Sequence, residues 1–122
     1  MLNILAVGAG GFLGAVCRYL IGLVPVSEAL IFPIKTFIIN MVGCIVIGIL
    51  AAAAIRNYEM GPQMMLFLKV GLCGGFTTFS TFALETADLM KAGHMGAAFL
   101  YVVLSVLVGV AVIFVVEYLS IK

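Results

Sequence analysis

Charge is what this sequence has least of. Asp, Glu, Lys and Arg make up 9% of its 122 residues, where ordinary soluble domains carry about 25%. With 66% hydrophobic residues and a mean hydropathy of +1.37, the chain has no polar surface to cover a water-soluble fold. It reads as a membrane protein. A net charge of +1 gives no electrostatic case for nucleic acid or for an acidic partner. Tryptophan is absent, and the single histidine, His94, falls in a loop and is assigned no role. Cys17, Cys44 and Cys73 lie in separate apolar runs without ligand-type spacing. They indicate neither a disulfide framework nor a metal site and read as small buried hydrophobes. The N-terminal "MLNILAVGAGG" has no basic leader region, and its apolar run outlasts a signal-peptide core, so it reads as a retained span. No nucleotide motif or catalytic constellation is present, so no enzyme activity is expected.

A bilayer-crossing helix needs about 20 mostly apolar residues. Four stretches qualify, at roughly 2–24, 34–55, 64–90 and 95–119. The links "PVSEALIFP", "RNYEMGPQ" and "KAGHMG" leave no room for a soluble domain. The expectation is an all-α membrane protein with one four-helix transmembrane domain over residues 1–122. Positive charge near span ends normally sets orientation. Here Arg56, Lys69 and Lys122 fall on one side and Arg18, Lys35 and Lys91 on the other, three against three. Two readings stay open: a weak signal in a small protein, or a chain that inserts both ways up and pairs as an antiparallel homodimer. Gly10/Gly14 and Gly71/Gly75 are GxxxG pairs that let helices approach closely.

The third span contains "GLCGGFTTFSTF". Adjacent glycines followed by Thr77, Thr78, Ser80 and Thr81 disfavour a continuous helix. A break is therefore expected at Gly74–Gly75, near the membrane midplane. In hydrocarbon a break persists only against protein, water or an ion. Packing with hydroxyls bonded back to carbonyls is the bland alternative. Phe79 and Phe82 share a helical face with Glu85 one turn on. Ring edges carry partial positive charge and so favour an anion without a deep well. Thr36 and Asn40 share a face of the second span, and Tyr101 and Ser105 a face of the fourth. Asn40 brings two amide donors. Singly these are more often glue between helices; together they suggest a converging polar path. Arg18 is placed to attract anions to a mouth.

At these residues the sequence resembles the Fluc family of bacterial fluoride channels. The matching pieces are "GGFLGAVCRY", "TFIINMVG" and "GGFTTFSTF", and the likeness covers nearly the whole chain. The resemblance implies a dual-topology homodimer in the inner (plasma) membrane, with two antiparallel pores that export fluoride passively. It implies that Phe79 and Phe82 meet fluoride with their ring edges and that Asn40 is the pore asparagine. It implies that the backbone carbonyls of Gly74 and Thr77, two from each subunit, hold a central structural sodium ion. Thr36, Ser80, Thr81, Glu85, Tyr101 and Ser105 fit the family's polar track. One turn past Ser105, where another hydroxyl is expected, this chain has Gly109.

Two rivals have different chemistry. A small dual-topology, proton-coupled multidrug exporter needs a buried acid and broad aromatic surface. Here the first span has no acid, and Glu85 is the sole candidate. A non-transporting membrane subunit would use its polar residues for assembly alone.

Overall fold

A computed structural model describes residues 1–56 and 59–122. Within the link "RNYEMGPQ", Asn57 and Tyr58 lie outside the described residues. Among the described residues the regular structure is all helical, and the helices are α1 (Leu2–Gly22), α2 (Ile34–Ile55), α3 (Pro62–Met65), α4 (Gly74–Phe76), α5 (Phe79–Lys91) and α6 (Met95–Ile121). A π-helical stretch, Leu66–Cys73, joins α3 to α4. Four segments are long and apolar enough to cross a membrane: Leu2–Gly22, Ile34–Ile55, Pro62–Lys91 and Met95–Ile121. The first ends two residues earlier than expected, and the third and fourth run slightly longer.

Glycine determines how these spans pack. A methyl group on Gly10 would meet the Phe67 carbonyl and the Leu72 amide. On Gly14 it would meet the Leu72 carbonyl and the Phe76 amide, and on Gly75 the Gly11 carbonyl. Backbone therefore lies against backbone where α1 crosses residues 67–76, the close approach that small residues permit in membranes. Gly43 of α2 leaves space for the Thr77 methyl, and Gly48 lies against Val116 of α6.

The expected break at Gly74–Gly75 is displaced. Both glycines are helical, in α4. The chain leaves the helix at Thr77 (φ −79°, ψ 159°) and Thr78 (φ −151°, ψ 118°), in the middle of a 30-residue span. Glycine's entropic cost, about 1 kcal/mol each, is offset here by the close backbone contact with α1. The non-helical residues are those with competing side-chain hydrogen bonds. The upstream π-helical turn was not anticipated; such widened turns recur at functional sites.

Helix α5 ends in a Schellman motif. Gly93 adopts φ 85°, its N–H donates to Met90 O at 3.1 Å, and the His94 N–H donates to Leu89 O at 2.8 Å. This tight turn packs α5 back on α6 around Leu89, Ala98 and Tyr101, with Phe32, Phe37 and Phe82 closing the cluster. Tyr101 is the largest fully buried side chain among the described residues.

Candidate functional site

The site is organised by the break. Asn40 of α2 faces it and pairs with Thr78 in both directions: Nδ2 donates to Thr78 O at 3.2 Å, and the Thr78 N–H donates to Asn40 Oδ1 at 2.9 Å. One amide side chain thus takes up the Thr78 N–H, which the interruption deprives of its helical acceptor and hydrocarbon would leave unpaired at several kcal/mol. The same amide adds a second donor to the carbonyl that starts α5. Thr78 caps α5: its Oγ1 accepts from the Thr81 N–H at 3.1 Å and donates to Thr81 Oγ1 at 3.1 Å. Ser80 Oγ approaches the same hydroxyl at 3.4 Å. Thr77 turns the other way, its Oγ1 donating to Cys73 O at 2.8 Å.

One and two turns into α5, the Phe82 and Glu85 side chains meet the other spans. Both carboxylate oxygens of Glu85 are engaged: Thr36 Oγ1 donates to Oε1 at 2.7 Å and Tyr101 OH donates to Oε2 at 2.8 Å. Both are short, within the usual range of O–H···O bonds. Tyr101 is held by rings as well as by the acid. Phe82 lies edge-on at 4.9 Å between centroids and Phe32 at 5.3 Å. Phe79 continues the row at 5.8 Å from Phe82 and is itself largely exposed.

Two cavities meet at this junction. The first, about 370 Å³, is bounded by Asn40, Thr77, Thr78, Phe79, Phe82 and Ser105. Ser105 Oγ is buried and has no hydrogen-bond partner. The second, about 410 Å³, is bounded by Arg18, Lys35, Thr36, Thr78, Thr81 and Glu85. Thr78 is common to both. At the rim, Lys35 Nζ donates to Gly22 O at 2.8 Å, supplying the last turn of α1 with a cationic partner. Among the described residues the one ion pair is the exposed Lys91–Asp88 contact, so neither Arg18 nor Lys35 is neutralised by a carboxylate.

Arg18, Thr36, Asn40, Thr81, Phe82, Glu85, Tyr101 and Ser105 are thus gathered into or beside one track, with Phe79 at its edge. Ser80 lines neither cavity and is exposed. Gly74 is exposed, with open space where a Cβ would project. Gly109 is buried against Met41 and Cys44, which fill the place expected for a further hydroxyl. The cysteines differ from their expected uniform burial: Cys73 is buried, Cys44 half-buried and Cys17 exposed on α1. Three participants were missed. Thr78 carried a signal as a threonine immediately before the run that begins at Phe79, an N-cap position. Lys35 counted only toward topology. Phe32, in a Pro-containing link, gave no signal.

A family model described as CrcB-like protein, Camphor Resistance (CrcB), matches residues 5–116. A fluoride-specific ion channel FluC of Chlorobaculum tepidum is 44% identical over 114 residues, covering 93% of this chain and 90% of the relative. One from Azobacteroides pseudotrichonymphae is 38% identical over 112 residues, 91% of this chain and 90% of the relative. One from Rhodospirillum centenum is 44% identical over 116 residues, covering 93% and 91%.

Proposed function

The chain belongs to the CrcB-like family of FluC channels, and from that premise we propose that it is a fluoride-specific channel, conducting fluoride passively out of the cell. It is a membrane protein without enzyme chemistry, acting as one four-helix domain. The observation that carries the reading is the convergence of two cavities at Thr78, beside Asn40, with the Phe79 and Phe82 rings lining one and a cationic rim on the other.

The residues account for the chemistry in sequence along the path. Fluoride is small and holds its water strongly, and an unpaired ion in a low-dielectric interior costs tens of kcal/mol. Arg18 and Lys35 raise the local anion concentration at the rim. Thr36, Thr78 and Thr81 line the second cavity. The Thr36 and Thr78 protons go to Glu85 and Thr81, which leaves the Thr81 hydroxyl to donate there. The Ser105 hydroxyl, free of any partner, faces the first cavity. Phe79 and Phe82 offer ring edges, which stabilise an anion without trapping it. Asn40 contributes by holding the break open. Glu85, with both oxygens bonded, orients Thr36 and Tyr101. A proton-coupled exporter would need that acid available to its cargo, so the engaged carboxylate favours the channel.

The break also supports pairing. Phe79, Ser80 and Gly74 are exposed together where the span is interrupted, and polar backbone does not face lipid. A second, antiparallel copy would cover this face through a twofold, self-complementary interface, consistent with the balanced charges. The bilayer seals the remaining apolar surface. The released carbonyls fit a sodium ion shared by the two copies: Gly74 O has lost its helical donor, since the Thr78 N–H goes to Asn40, and unwound carbonyls are the usual sodium ligands in such spans. Gly74 and Thr77 would hold it, and its charge would join the copies and favour anions nearby.

The test is efflux of fluoride and chloride from liposomes containing the purified protein, beside Phe82→Ile. Rapid fluoride efflux with little chloride, strongly reduced in the variant, is expected. Flux of neither ion would overturn the channel reading, and equal flux would remove selectivity.

A further inference from the structure

An α-helix closes each N–H onto the carbonyl four residues back. By that rule the Thr81 N–H belongs to Thr77 O. It donates instead to Thr78 Oγ1, at 3.1 Å. Thr78 is only 9% exposed, and its hydroxyl hydrogen is directed to Thr81 Oγ1. Its backbone is extended, as an N-cap requires. Its own N–H and carbonyl are both fixed by Asn40. Every polar group of Thr78 is therefore committed to keeping α5 from growing back toward α4.

We propose that Thr78 is a positioning residue for the cation site: its hydroxyl withdraws the Thr81 N–H and so keeps the Thr77 carbonyl free to bind sodium. Asn40 does the same for Gly74 O by holding the Thr78 N–H. The two carbonyls are released by two separate side-chain diversions, one from α2 and one from within the third span. The Thr78 hydroxyl acts through the Thr81 N–H and is not itself a ligand of the ion. The inference rests on the sodium reading above.

Removing the hydroxyl lets α5 extend by a residue, with the Thr81 N–H turning to Thr77 O. Sodium must then break a helical hydrogen bond in each copy before it can bind. Sodium affinity should fall at least roughly fivefold in Thr78→Val, given the usual net worth of such bonds. Thr78→Ser, which keeps the oxygen, should stay within about twofold. Thr78→Ala gives the same reading in a chain that rejects the branched side chain. Binding is read on the full-length protein in lipid nanodiscs by sodium-23 NMR titration. Exchange of the Thr81 amide is followed in the absence of sodium, where Thr78→Val should alter its protection and Thr78→Ser should not. High sodium should still fill the site in Thr78→Val, seen as a saturating sodium-23 signal, which a merely misfolded variant would not show. Equal sodium affinity in wild type and Thr78→Val overturns the proposal and leaves the sodium reading standing. A wild type that binds no sodium overturns that reading, while unchanged Thr81 exchange in Thr78→Val sinks the capping argument separately.

Discussion

At the scale of single residues, Tyr101 shows why identity in a span says less than its partners do. A tyrosine in an apolar helix is ambiguous in sequence, since glue and lining use the same hydroxyl. The structure commits it: fully buried, donating to Glu85 Oε2 at 2.8 Å, with Phe82 and Phe32 on its ring. Tyr101→Phe leaves a carboxylate oxygen without its donor. Destabilisation of about 1–3 kcal/mol is expected, together with lower fluoride flux, measured by unfolding in bicelles and by liposome efflux on the same preparation. Unchanged stability would mean that water or a rotated Thr36 replaces the phenol. The sequence made Glu85 visible as an acid on the Phe79–Phe82 face, and its nearness to Thr36 and Tyr101 was legible only as a shared track. The bonds themselves join positions 49 and 16 residues apart, a spacing that no local pattern encodes.

At the scale of elements, four spans were plain from hydrophobic length, and the GxxxG pairs marked where α1 meets the third span. What was illegible was the place of the break. Local propensity points to Gly74–Gly75, yet both stay helical because a bare backbone is what α1 requires of them. The decision passes to Thr77 and Thr78, through a capping hydroxyl and an asparagine 38 residues distant. The π-helical turn over Leu66–Cys73 is likewise a tertiary result. Gly14→Ala tests this division of labour. Its methyl collides with backbone, at Leu72 O and Phe76 N, and backbone cannot rotate away. A loss of about 1–3 kcal/mol is expected. Gly8→Ala, with open space around it, should be near neutral in the same unfolding assay.

At the scale of the molecule, the even charge count is the feature with the widest reach. If both orientations are needed, a chain biased to one of them should be inactive alone. Arg56→Gln with Lys69→Gln changes three against three to one against three. Gly61→Lys with Lys91→Gln biases the chain oppositely, and costs little beyond the exposed Lys91–Asp88 pair. Each should lose fluoride efflux by itself, and the two together should recover it. Activity in either one alone would show that a single orientation suffices. Cysteine labelling from one side of the membrane checks the orientations directly.

The Gly93 turn bears on how the protein is made. The third span is the least hydrophobic of the four, with hydropathy 1.3, and the fourth is the most, at 3.0. Helix α5 has 13 residues, about 20 Å at 1.5 Å each, which is short of a hydrocarbon core of about 30 Å. A turn this tight gives α5 no slack to wait outside while α6 enters. The two should therefore partition into lipid as a hairpin, the strong partner carrying the weak one across. A nascent chain released before Met95 should leave its third segment accessible to aqueous maleimide at Cys73, while the chain with its fourth span protects it. The interruption at Thr77 and Thr78 thus makes its own span dependent on the fourth.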